Sequence, residues 1–262
     1  MNEDTKLILN KLDAMQERIN AGFENIEGRL TKMAVDIKST GTYAEQAALF
    51  AGDLFRMYTH FAEDREPVLH RIIEQHPLGM LVAHGPEGLD AEHVPFELDP
   101  GRGPRGALLA HVARANQLWR RCPSGTRVMV VFRGAEGYVS PNWYPSKHEA
   151  HRQVPTWNYQ VVHAHGTLVV HDDERFVRGV VARLTRRHEA EEPVPWKMGD
   201  AAPGYIDEML RKIVGIEVVV ESLVGKSKLG QNKEARDREG AAQALESRGA
   251  VELGRAMREA GA

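Results

Sequence analysis

Residues 80–98 read Met-Leu-Val-Ala-His-Gly-Pro-Glu-Gly-Leu-Asp-Ala-Glu-His-Val-Pro-Phe-Glu-Leu. Two apolar runs, 80–84 and 91–98, flank the turn Gly85-Pro86-Glu87-Gly88. A strand, a tight turn and a second strand of this kind build antiparallel sheet. Further short strands are expected at 107–112, 127–133, 137–140, 161–171 and 216–223, with Asp99-Pro100-Gly101 as another turn. A helix is expected over 65–76, because Val68, Leu69, Ile72 and Ile73 share one side and Pro77 follows. Two more helices are expected at about 173–189 and 203–213, and the charged tail 233–262 reads as helical. No strand–helix–strand alternation appears, which argues against a doubly wound nucleotide fold. The body is therefore α+β, an antiparallel sheet or barrel with peripheral helices.

The first 40 residues differ in character. Leu9, Gln16, Phe23, Leu30 and Ile37 fall at heptad position a, and Leu12, Ile19, Ile26 and Met33 at position d. Spacings of three and four place them on one helical stripe, as in a coiled coil or in an amphipathic helix packed on its own domain. Gln16 in that stripe lowers stability and can fix register or oligomer state. Ser39-Thr40-Gly41-Thr42 breaks the pattern, and Ala44, Ala47, Ala48 and Ala51 favour a second short helix. The expected division is a coiled coil over 1–40, a linker helix over 41–56 and a barrel domain over 57–262.

Composition bounds the function. The 262 residues carry a net charge of −3, so the basic surplus typical of a DNA-gripping protein is missing. The single cysteine, Cys122, excludes an intrachain disulfide and fits a reducing compartment. No apolar run approaches the roughly 20 residues of a membrane span, and no signal core follows the start. A soluble cytoplasmic protein without membrane contact is expected. Gly101-Arg102-Gly103-Pro104 reads as a turn, not a phosphate loop. His163 and His165 share a face if their segment is a strand, but no third ligand stands beside them, so no metal is expected. Arg183, Arg186, Arg187 and His188 adjoin Glu189, Glu191 and Glu192 and read as a solvated helix face.

Three stretches concentrate aromatic and polar side chains: residues 111–116, 138–147 and 154–159. Aromatic faces beside amides and cations suit a planar ligand with an anionic tail, and equally suit a core or a dimer interface. These stretches resemble the signature segments of the PaiB-like family, the FMN-binding negative transcriptional regulators. So do Pro77-Leu78-Gly79, Leu184-Thr185 with His188-Glu189, Pro195-Trp196, Ile213-Val214-Gly215-Ile216 and Lys226-Ser227-Lys228-Leu229-Gly230-Gln231-Asn232. The match spans about 57–245 and leaves the N-terminal segment outside. Three departures stand out: Met57-Tyr58-Thr59-His60-Phe61 lacks the family's proline and two residues, Gln117 replaces the proline after Asn116, and Gly230 replaces a serine.

The resemblance implies an antiparallel split β-barrel related to the pyridoxamine-phosphate oxidases, a homodimer with ligand clefts at the subunit interface, and FMN as the ligand. It implies that Arg114 grips the phosphate while His111 and Asn116 donate hydrogen bonds, with Lys226 and Lys228 adding charge. Trp143, Trp157 and Tyr159 would border the ring or the dimer interface, and Ser140, Lys147, Asn158 and Gln231 complete the candidate set. The implied role is negative transcriptional regulation in bacteria; a flavin-dependent oxidoreductase, or a haem or other small-molecule binder on the same fold, are the alternatives. No helix-turn-helix is evident, so direct DNA binding stays open without residue support. No catalytic residue is named. The coiled coil would add a route to higher oligomers.

Overall fold

Eight strands hydrogen-bond into one antiparallel sheet in the computed structural model of the chain, which describes residues 60–260. The expected coiled coil and linker helix lie outside the described residues. The unit Phe61–Ala262 contains all that follows. In chain order the main elements are β1 (Ala62–Glu63), α1 (Glu66–Gln75), β2 (Leu78–Gly85), β3 (Gly88–Pro95), β4 (Glu97–Asp99), β5 (Ala107–Ala113), α2 (Leu118–Arg121), β6 (Arg127–Val139), α3 (Pro145–Ala150), β7 (Thr156–His171), α4 (Glu174–His188), α5 (Tyr205–Leu210), β8 (Ile213–Lys228), α6 (Ala235–Glu246) and α7 (Val251–Glu259). The sheet order is β3-β2-β6-β7-β8-β5-β4, with β1 added to β8. This is the antiparallel split barrel that the sequence led one to expect.

The β2–β3 hairpin forms around Pro86 and Glu87, with Gly85 opposite Gly88 and Gly88 at φ 109°. The expected strand over 91–98 is broken at Pro95. Phe96 turns its ring into the core, its N–H donates to the Pro77 carbonyl, and β4 pairs with β5 instead. The two strands expected at 127–133 and 137–140 are one continuous β6, bulged where the register slips between Arg133 and Glu136. A second bulge lies in the β7–β8 ladder, where His165 faces Ser222 and Gly166 faces Val220, leaving Glu221 extra. A Cβ at Gly166 would stand 2.2 Å from the Val219 carbonyl oxygen, so only glycine fits there.

Inward-facing side chains fill the barrel. Phe96, Leu108, Phe132, Val162, Leu168 and Ile216 are buried, and α1 closes over them with Leu69, Ile72 and Ile73. Phe96 and Phe132 meet edge to face at 5.9 Å, worth about 1 kcal/mol beyond area burial. On the outward side α4 covers part of the sheet, packing Val180 and Leu184 on Ala107 and Leu109. A second small core joins α6 and α7 to the ends of β6 and β8 through Val139, Tyr144, Leu229, Leu245, Leu253 and Met257. The tail is thus helical as expected, but split into two helices around Ser247–Ala250. No helix among the described residues is long and apolar enough to cross a membrane.

Candidate functional site

The twelve candidate residues fall at two ends of the same pair of strands. His111, Arg114 and Asn116 lie where β5 meets the first residues of β8, with His111 opposite Gly215 and Ala113 opposite Ile213. Arg114 is engaged within the protein. Its Nη1 and Nη2 donate to Asp172 at 2.9 and 2.5 Å, its Nε to the Arg211 carbonyl at 2.8 Å, and Nη2 again to the Ile213 carbonyl. Asn116 accepts from the Leu118 N–H at the start of α2 and donates to Glu92 at 3.0 Å. His111 keeps an unmet group: its Nδ1 is buried without a partner, and burial pushes the imidazole pKa down, favouring the neutral ring.

Two residues before His111 on the same face, Leu109 lines a cleft of about 490 Å³ together with Phe176, Val180, Arg102, Arg175 and Arg183. Below it Glu217 is buried. It accepts from Arg102 Nε and Nη2 at 2.6 and 2.8 Å, and His171 Nε2 lies 2.7 Å away. The His171 ring stacks on Phe176 with centroids 3.7 Å apart. A buried carboxylate thus holds one guanidinium and one imidazole in fixed positions at the cleft edge.

The second group gathers at the end of β6, the start of β7 and the end of β8. Tyr138 lies opposite Trp157, and both are about half exposed, at 48% and 50%. Trp143 meets Tyr138 edge to face at 6.4 Å, and the Arg248 guanidinium stands 4.8 Å from the Trp143 ring. Tyr159 follows on the same face with Lys226 Nζ 5.8 Å from its centroid, and Lys228 Nζ donates to Thr156 Oγ1 at 2.7 Å. Ser140 Oγ accepts from the Asn142 N–H and caps the short turn Pro141–Trp143. Lys147 lies in α3, and its neighbour Ser146 donates through both N–H and Oγ to the buried Asp237 at 2.9 and 2.5 Å. Gln153 adds a third donor to Asp237 at 3.2 Å. Tyr144 is buried beneath this turn with its hydroxyl unpartnered; burial first, and the Asp237 charge second, push its pKa up to about 12.

Two candidates are engaged within the fold. Asn158 is buried and donates to Met257 Sδ at 3.4 Å, which ties β7 to α7. Gln231 accepts from the Leu229 N–H and donates to the Ser227 carbonyl, closing its own turn. Along β8 eleven residues separate Gly215 from Lys226, on the order of 35 Å of extended strand. One chain therefore keeps its two candidate groups apart, farther than a mononucleotide reaches along the strand. Sequence reading also missed Arg102, His171, Glu217, Asp237 and Arg248. Arg102 pairs with Glu217 115 residues on, and Asp237 and Arg248 lie about 90 to 105 residues from the turn they serve, so no local pattern marks them.

The chain matches the family described as "Putative FMN-binding domain" over residues 56–222. It is 31% identical over 233 residues to an uncharacterised protein of Aspergillus fumigatus, covering 72% of this chain and 89% of that one. It is 30% identical over 131 residues to the protease synthase and sporulation protein PAI 2 of Bacillus subtilis, covering 50% of this chain and 60% of that one. Among solved structures it is similar to the FAD and haem binding protein of Mycobacterium smegmatis, with a TM-score of 0.47 at 17% identity, covering 64% of this chain and 72% of that one.

Proposed function

The chain belongs to the family described as "Putative FMN-binding domain", and on that premise we propose that it is an FMN-binding homodimer of the PaiB type that acts in negative control of transcription. The observation that supports this most is the placement of two half-sites at opposite ends of one outward sheet face. One end offers the unpartnered His111 Nδ1 and the arginine-lined cleft beside it. The other offers exposed aromatic faces at Tyr138 and Trp157 with cations at Lys226 and Arg248. A flavin has a planar ring for the second and an anionic tail for cationic donors.

The midpoint of β7 between Tyr159 and His171 is His165. Around it the outward face carries Met80, Val82, Met129 and Val131, with Leu78 and Val224 exposed at 60% and 55%. A second copy turned about a two-fold axis there lays its aromatic end against the first copy's His111 end, and the reverse, making two equal sites. In such a site His111 hydrogen-bonds the ligand, Tyr138 and Trp157 border the ring, and Arg102, Arg175 or the second copy's lysines meet the phosphate. Arg114 and Asn116 shape the strand end. When bound, the flavin supplies reversible redox chemistry.

Control of transcription passes through a partner or a ligand in this reading, in the cytoplasm. The basic cluster on α4 is largely neutralised: Arg183 pairs with Asp99 at 2.7 Å and Arg187 with Glu97 at 2.9 Å. Little free positive charge is left there for phosphates. The similar Bacillus protein is named for protease synthesis and sporulation, which accords with a regulatory role.

The test is an absorbance spectrum from about 300 to 700 nm with and without added FMN, joined to sedimentation. Flavin bands near roughly 375 and 450 nm in a dimer, with affinity about tenfold weaker in Trp157→Ala, are expected. A protein that takes up no FMN at micromolar concentrations refutes the assignment. Bleaching of the bands by a nicotinamide cofactor would move the role from sensor to oxidoreductase, and a Soret band would move the ligand to haem.

A further inference from the structure

His163 and His165 stand two residues apart on the outward face of the central strand β7, opposite Val131 and Met129 on β6 and Val224 and Ser222 on β8. Their ring centroids are 6.5 Å apart at an interplanar angle of 74°. Among the described residues neither imidazole makes a hydrogen bond or an ion pair. Single protomers supply no cluster of three or more His, Cys, Asp or Glu fit to hold a metal among the described residues.

The dimer proposed above changes this count, and the present inference rests on it. The centre of this histidine pair lies within one residue of the midpoint on which the axis joining the two half-sites was placed, and an axis at that centre sets the two pairs face to face. Two copies would then bring four imidazoles together in a seam of methionine and valine side chains. Closed off from water, those rings would leave polar nitrogens without partners, which buried structure rarely tolerates. An ion would satisfy one nitrogen on each ring.

We propose that His163 and His165 of both protomers together hold one borderline divalent transition-metal ion, of the zinc type, on the two-fold axis. All-imidazole sites suit zinc, nickel and copper(II) rather than calcium or magnesium, whose preference is oxygen. With metal–nitrogen distances of about 2 Å an ion lies roughly 3 Å from each ring centre, so the 6.5 Å spacing must close by about 1.5 Å for tetrahedral angles. Rotation about the broad outer torsion of histidine allows that. On the flanking rows the cations are already paired, Arg127 with Glu221 and Arg133 with Glu136, so those two arginines add little net repulsion against the ion.

The test uses the full-length, FMN-loaded protein after chelator treatment, titrated with zinc chloride by calorimetry and followed by sedimentation. Saturable binding at half an ion per chain is expected, with affinity at least 100-fold weaker in the His163→Gln/His165→Gln double variant. That variant should keep its circular dichroism and its flavin bands. A dimer that binds no zinc, or binds as tightly in the double variant, overturns the metal site while leaving the dimer standing. One ion per chain overturns the shared site. A chain that sediments as a monomer with and without zinc overturns the dimer, and the metal site with it.

Discussion

Replacing Asp237 with alanine should destabilise the protein far more than its place in a charged tail would lead one to expect. Its carboxylate is 1% exposed and accepts from the Ser146 N–H, the Ser146 hydroxyl and Gln153. Hydrogen bonds to a charged acceptor are worth about 1.5–3 kcal/mol each, and three donors around one group are not additive. Truncation leaves the half-buried Ser146 donors unmet, so a loss of about 3 kcal/mol follows. With a urea m-value of about 2–3 kcal/mol/M the unfolding midpoint should fall by about 1 M. Asp237→Asn keeps one good acceptor and should lose less than half as much. The turn that carries Ser140, Trp143 and Lys147 rests on this anchor, so FMN affinity should drop along with the midpoint. A midpoint shift below about 0.3 M for the alanine variant, or equal shifts for alanine and asparagine, would refute this account of the C-terminal helices.

Gly166→Ala forces a Cβ to within 2.2 Å of the Val219 carbonyl oxygen and should cost about 3 kcal/mol, read as a drop in melting temperature. Stability should also fall on mild acidification, because burial holds the folded-state pKa values of His111 and His163 below the unfolded value. The unfolded chain then takes up protons first as pH falls through about 6.5, so stability is full above that pH and declines below it. The carboxylates held low by arginine, such as Asp99 and Asp172, act only below the usual carboxylate range. Urea midpoints at pH 7 and 5.5 should therefore converge in a His111→Gln/His163→Gln variant, and an unchanged pH slope would count against the sign. Deleting residues 1–40 should leave the far-ultraviolet circular dichroism of the barrel in place; its loss would show that the two segments depend on each other.

Local pattern carried the elements and little of their arrangement. The helix expected over 65–76 and the hairpin around Pro86 are set by residues within a few positions of each other, and both form, the helix and the first strand within two residues of their expected bounds and the second strand three residues earlier. β7 begins at Thr156, five residues earlier than its apolar run, because Trp157 and Tyr159 occupy its outward face beside an open flank rather than a loop. β8 continues through Lys226 and Lys228 for the same reason: alternate residues there face outward and tolerate charge. The aromatic stretches were legible as unusual. That Asn158 faces the small C-terminal core, that Asp172 occupies the Arg114 fork and that Arg248 covers Trp143 depend on partners 58 to 105 residues away. No propensity or spacing encodes such pairs.

The two bulges explain why one pair of strands serves two ends. At Gly166 the β7–β8 ladder gains a residue, and the outward face changes company across it. On one side lie Leu109, Glu217 and His171 under α4; on the other lie Val224, Lys226 and Tyr159 without that helix. The β6 bulge at Gly134 and Ala135 does the same for the neighbouring strand, separating the apolar segment of Met129 and Val131 from the aromatic segment that begins at Tyr138. Each bulge adds a residue to one strand and so changes which side chains stand together on the outward face. The bulges divide it into a helix-covered end, an apolar middle and an aromatic end. That is the order a two-fold axis through the middle requires if each copy is to complete the site of the other.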